Sequence, residues 1–226
     1  MATVSAHPYR AEELSTKSEV IYPENDGNPI AENTLQFEYI TVIHGGLDAR
    51  FAEDPDVFVA ADNLWYPVQG HPEICTAPDV YVVFGRPKGH RGSYQQWREG
   101  NIAPQVVFEI LSPGNRVGEV VAKWVFYNRY GVEEYYLYDP QRNDLSVWIR
   151  NTESGQLEEV EAVSGFVSPR LQVRFEQDEE RLRLFHPNGE PFQTFRELMA
   201  ERDALANRAA KLAERLREMG INPDEI

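Results

Sequence analysis

Apolar positions along this chain recur with a period that changes from segment to segment, and the changes mark out elements. Between Glu32 and Leu47, residues Leu35, Tyr39, Ile40, Ile43 and Leu47 fall three or four apart, the spacing of one helix face, with Gly45-Gly46 predicting a fraying end. Val57–Ala60 and Val80–Phe84 are short β-branched and aromatic runs between turn residues and predict strands. Val106–Leu111 is almost continuously apolar, as expected of a strand covered on both faces, and it stops at Ser112-Pro113-Gly114. Helical spacing returns in Val120, Val121, Trp124, Val125 and Tyr127 over Gly118–Tyr130, and Gly131 suits the left-handed residue that closes a helix. Glu134–Tyr138 and Asp144–Ile149 predict paired strands around the turn Asp139-Pro140-Gln141-Arg142-Asn143, with further strands at Leu171–Phe175 and Arg181–Phe185. The strand, helix and strand after Val106 read as a crossover unit, so the expected fold is α/β, a central mixed sheet flanked by helices.

The two ends differ from this body. Residues 1–30 are polar, contain Pro8, Pro23 and Pro29, and show no sustained period, so they predict an irregular arm. The body is expected over 31–190. In the tail, 191–226, Phe195, Leu198, Arg202, Leu205, Ala209, Leu212, Leu216 and Met219 occupy alternating a and d heptad positions, and only Arg202 is not apolar. Such a stripe fits a short dimeric coiled coil and equally an amphipathic helix packed on its own domain.

Composition narrows the classes. No run approaches the roughly 18 apolar residues of a membrane span, and the single cysteine, Cys75, permits no internal disulfide. A reducing cytoplasm is the expected compartment. The formal charge is −15, which disfavours polyanion binding by charge alone because phosphate affinity rests on Lys and Arg. Residues 61–102 nevertheless hold four acids and four bases, and Arg86, Lys88, Arg91 and Arg98 follow one another with no acid until Glu99. With Tyr94 and Trp97 among them, this stretch is the candidate nucleic-acid contact; a solvated loop with packed aromatics is the competing interpretation.

The chemistry concentrates elsewhere. Glu109 lies within an apolar strand, where a carboxylate is costly unless paired, protonated or bound to metal. Asp79 stands at the mouth of another predicted strand, and two carboxylates converging on a sheet can hold Mg²⁺ (or Mn²⁺), with the backbone carbonyl of Ile110 as a further oxygen. The five histidines show no ligand spacing for zinc, and there is no GxxxxGK[ST], GxGxxG or GxSxG.

Pro78-Asp79-Val80, Phe108-Glu109-Ile110-Leu111-Ser112-Pro113, Lys123, and Tyr130-Gly131-Val132-Glu133-Glu134-Tyr135 leading to Leu137-Tyr138-Asp139-Pro140 occur here in a particular order. With Arg91-Gly92-Ser93-Tyr94, Trp97 and the ending Leu216–Pro223, that order resembles the PD-(D/E)xK nuclease superfamily, and more closely its Uma2 family (DUF820) of restriction endonucleases, cyanobacterial type. The resemblance implies a restriction-endonuclease-like fold and Mg²⁺-dependent hydrolysis of DNA phosphodiesters, with Asp79 and Glu109 as metal ligands. Leu111 stands where the wider superfamily has lysine, and Lys123, on the following helix, matches the migrated basic residue. A plain i,i+4 pair of Lys123 with Glu119 is the alternative. Glu32 matches an additional acid on the first helix, though acids are favourable at a helix start in any case, and Gln36 falls where many relatives have histidine. A homodimer through the tail would supply two sites for two strands. The rival expectation is a catalytically inactive nuclease-fold module for nucleic-acid or protein binding.

Overall fold

A computed structural model describes residues 20–223 apart from Asp26, Asn28, Ile30 and Glu32. Most of the arm expected over 1–30, and the candidate acid Glu32, thus lie outside the described residues. In the described part of that arm Tyr22 packs against Tyr66 and Trp97, with ring centroids 5.3 and 4.9 Å apart, and the Tyr66 hydroxyl donates to the Pro23 carbonyl at 2.7 Å.

The first helix, α1 (Thr34–Arg50), starts at Asn33, whose side chain accepts the Gln36 backbone N–H at 2.9 Å. Its inward stripe is Gln36, Ile40, Ile43 and Leu47. The end expected at Gly45-Gly46 is corrected, because the helix runs on to Arg50. Gly46 serves close approach instead: a Cβ there would lie 2.2 Å from the ring of Phe192.

Ten strands follow among the described residues: β1 (Val57–Ala60), β2 (Trp65–Tyr66), β3 (Val80–Phe84), β4 (Tyr94–Gln95), β5 (Val106–Ile110), β6 (Glu134–Asp139), β7 (Asp144–Arg150), β8 (Leu157–Glu159), β9 (Arg174–Gln177) and β10 (Leu182–Phe185). Six of them form the central sheet in the order β1-β3-β5-β6-β7-β8. Its pairings are antiparallel except β5 with β6, where Val106 faces Glu134 and Glu109 faces Leu137. The crossover between those two parallel strands is α2 (Val117–Tyr130), closed by Gly131 at φ 93°. The expected mixed sheet and its crossover helix are therefore present.

Alternation along the strands divides the core into two layers. Val80, Val82, Val106, Phe108, Ile110, Tyr136 and Tyr138 pack with the α1 stripe and with the β9–β10 hairpin. Tyr81, Val83, Val107 and Tyr135 face the other way, against Tyr127 of α2 and against Trp65 and Tyr94 of the small parallel β2–β4 pair. The strand expected at Leu171–Phe175 starts late. Leu171 and Val173 are fully buried, but Gln172 has φ 55°, so ladder pairing begins only at Arg174. On β6 the buried Glu134 carboxylate is satisfied by the Tyr136 hydroxyl (2.8 Å), the Arg170 N–H (2.7 Å) and the Ser168 hydroxyl, which ties the sheet to the 165–173 segment.

The tail forms α3 (Phe195–Glu218), started by a reciprocal capping box between Thr194 and Glu197. No residue of α3 is buried, so it does not pack along its own domain. No described helix is long and apolar enough to cross a membrane.

Candidate active site

The β5–α2–β6 crossover creates the site. Strand alternation sends Val107 and Glu109 towards α2, while Phe108 and Ile110 point to the α1 layer. Glu109 is only 5% exposed and has two partners from successive turns of α2. Lys123 Nζ donates to Oε2 at 2.7 Å, and the Tyr127 hydroxyl donates to Oε1. Lys123 is 35% exposed and also donates to the Ala77 carbonyl at 3.2 Å, bridging β5 to the segment ahead of β3. Glu119, the alternative partner, accepts the Arg116 N–H at 3.1 Å at the start of the helix.

Asp79 enters from the first residue before β3, next to β5 in the sheet. Its Oδ2 accepts the Ile110 N–H at 2.6 Å. Burial, and then the charge of Glu109, push its pKa from the ordinary carboxylate range up to about 8, against the opposing effects of Lys123 and the Ile110 N–H. Asp62, held at φ 48°, adds a small push in the same upward direction. Two carboxylates and one ammonium thus share a single electrostatic environment. The Ile110 carbonyl accepts the Gln36 side-chain N–H at 2.8 Å, so both ends of this residue's backbone are held, by Asp79 on one side and α1 on the other. Burial first, then Glu109, raises the Tyr127 phenol well above its usual range, so it stays a proton donor to that carboxylate.

Asp79, Glu109, Ile110 and Lys123 are accordingly brought together. Among the described residues there is no cluster of three or more His, Cys, Asp or Glu side chains suited to a metal. The donor set that is present, two carboxylates and a carbonyl, suits a hard cation that keeps several of its waters, as Mg²⁺ does, better than zinc. A divalent charge between Asp79 and Glu109 would also relieve the repulsion that raises Asp79.

The model of the Uma2 family, described as "Putative restriction endonuclease", matches residues 26–183, which include every one of these groups. The chain belongs to the Uma2 family. Among solved structures it is similar to a putative nuclease belonging to DUF820 from Anabaena variabilis ATCC 29413, at 14% identity, a TM-score of 0.46, and coverage of 62% of this chain and 75% of that one. No curated protein matches.

Three residues of this Uma2 chain's site were not singled out as functional by sequence: Gln36 as the partner of the Ile110 carbonyl, Tyr127 and Asp62. Tyr127 carried a usable signal, since it lies four residues after Lys123 on one helix face. Asp62 carried none, because its approach to Asp79 depends on an irregular loop.

The candidate nucleic-acid contacts are placed differently from expectation. Tyr94 is fully buried, its hydroxyl donating to the Ile102 carbonyl at 2.7 Å, so it has no face to offer a base. Arg91 is 12% exposed, lies 4.0 Å over the Phe58 ring and donates to Glu99 at 2.8 Å. Arg86 donates to the same Glu99 at 3.1 Å. Lys88 sits 3.8 Å from Asp48, Trp97 packs on Tyr22, and Arg98 is exposed. Two of the four bases in the run, Arg86 and Arg91, form an internal clamp around Glu99.

Proposed function

We propose that this chain is a divalent-metal-dependent endonuclease that hydrolyses DNA phosphodiester bonds. The observation that carries the proposal is the shared environment of Asp79, Glu109 and Lys123, in which Glu109 is paired to Lys123 at 2.7 Å and its charge raises Asp79. Family membership supports the same substrate class. In this scheme Asp79, Glu109 and the Ile110 carbonyl hold Mg²⁺ or Mn²⁺. The cation, when bound, supplies charge to a phosphoryl oxygen and acidifies a coordinated water.

The chain's own groups do the rest. Asp79 keeps the Ile110 N–H, and Gln36 keeps the carbonyl of the same residue, so the donor oxygens are fixed before substrate arrives. The Tyr127 hydroxyl fixes the rotamer of Glu109 from the buried side. Lys123 Nζ, tethered to Ala77 and Glu109 but part-exposed, orients the attacking water and offsets negative charge developing on phosphate. The proposed setting is the cytoplasm, which the single cysteine supports.

The test is nicking of supercoiled plasmid by purified protein with Mg²⁺, with Mn²⁺, and with chelator. Cleavage is expected only with metal, and Asp79→Ala, Glu109→Ala and Lys123→Ala should each lower it by about a hundredfold or more. Cleavage undiminished in all three variants would overturn the assignment. Folded wild type that never cleaves would favour the inactive binding module instead.

A further inference from the structure

α3 carries an apolar stripe that its own domain leaves uncovered. Phe195 is 77% and Met219 68% exposed, with Leu198, Leu205 and Leu212 also exposed between them. At the base of the helix a groove of about 1000 Å³ opens between α1 and the first turns of α3, with Phe37, Val42, Phe192, Phe195 and Leu198 among its walls. A stripe of this kind is stable in water only when something covers it.

We propose that two copies of this chain pair through α3 in antiparallel orientation, the C-terminal end of each helix seating in the α1–α3 groove of the other copy. Antiparallel pairing sets a positions against d positions. In one register Phe195 faces Met219, Leu198 faces Leu216, Arg202 faces Leu212 and Leu205 faces Ala209, so all eight stripe positions are used and none overhangs. The same register carries the exposed Met219 and Ile221 of one copy to the groove beside Phe195 and Leu198 of the other.

Charge selects the orientation. Residues 195–207 hold three acids (Glu197, Glu201, Asp203) against two bases (Arg196, Arg202), a net of −1, whereas 208–218 hold four bases (Arg208, Lys211, Arg215, Arg217) against two acids (Glu214, Glu218), a net of +2. The groove adds Glu38 and Glu190 to the acidic end, with Arg181 opposing them. Antiparallel pairing therefore sets each basic half against an acidic half and groove, while parallel pairing would set like against like. At the flanking positions Glu201 of each copy meets Arg215 of the other, twice by symmetry, and Arg208 meets its own copy once at the twofold axis. In a parallel pair Glu201 and Arg208 would face Ala206 and Ala213 instead. Antiparallel helices of 24 residues set the two α3 starts about 36 Å apart, so the domains lie at opposite ends of the coil rather than side by side.

The test is sedimentation equilibrium of the full chain across the micromolar range, with circular dichroism to confirm that each variant is folded. Wild type should be dimeric. Glu201→Arg should weaken the dimer by about tenfold or more, since two attractions become two repulsions, and Glu201→Arg combined with Arg215→Glu should restore it. Arg208→Ala should tighten it, by removing the single like-charge contact. A protein that stays monomeric at hundreds of micromolar, including one whose residues 1–19 cover the groove, would overturn the proposal. So would a dimer indifferent to Glu201→Arg and Arg208→Ala, or a charge swap that fails to restore pairing.

Discussion

Asp79 holds one of the costliest positions in the molecule. Its carboxyl is pushed up to about 8, first by burial and then by Glu109, so the metal-free folded state keeps a proton that the unfolded chain gives up near pH 4. Between those values the folded state binds more protons than the unfolded one, and stability falls as pH rises through the window of about 4 to 8. Asp79→Asn keeps an oxygen for the Ile110 N–H and removes the charge. In chelator it should stabilise the protein at pH 8 by on the order of 2 kcal/mol, the gain shrinking towards zero near pH 4, measured by urea unfolding at several pH values. Tyr127→Phe acts on the other carboxylate. It removes the hydroxyl donated to Glu109 Oε1 and should cost about 1 to 3 kcal/mol in the same measurement. The anomaly of Glu109 is legible in sequence, since a carboxylate in Val-Val-Phe-Glu-Ile-Leu demands a partner. That the partners are Lys123 and Tyr127, successive on α2, follows only once the crossover places that helix over β5. Gln36 was the less legible residue, because nothing in a linear sequence says that an amide on α1 meets a carbonyl 74 positions later.

The helix α1 and the central strands were readable because burial imposed their periods, α2 and α3 from apolar spacing of which only Tyr127 is buried, whereas the failures mark places where a local rule yielded to tertiary contact. Gly45-Gly46 has the composition of a helix end, yet α1 continues because Phe192 presses against Gly46 and Leu47 is buried beyond it. A pair of substitutions separates the two glycines. Gly46→Ala should lose about 1 to 3 kcal/mol, the crowding against Phe192 exceeding the gain in helix propensity. Gly45→Ala, with nothing within 4 Å of the added carbon, should gain up to about 1 kcal/mol. Thermal or urea unfolding checks both. The two-residue strands β2 and β4 were beyond periodicity altogether, since two residues cannot display a period. Their pairing buries Trp65 and Tyr94, so of the two candidate nucleic-acid aromatics Tyr94 is core, while Trp97 is half-buried against Tyr22.

For the whole molecule, the charge of −15 has gained a sharper meaning. The base-rich stretch Arg86–Arg98 is largely spent internally, with Arg86 and Arg91 both held on Glu99 and Lys88 near Asp48. Their charge is not free for phosphates, so DNA affinity without divalent metal should be weak and its dependence on salt shallow. The expected slope of log affinity against log salt is about −1 to −2, as for one or two phosphate contacts. Fluorescence anisotropy in chelator measures it, and a steep slope with tight binding would point to an interface elsewhere. The proposed activity then depends on the Asp79–Glu109 pair holding the cation that phosphate would meet. Calorimetric titration of Mn²⁺ into wild type, Asp79→Asn and Glu109→Gln addresses this most directly. Wild type should take up Mn²⁺ at a site that both variants lose while remaining folded; equal binding by all three, or none by wild type, would contradict it.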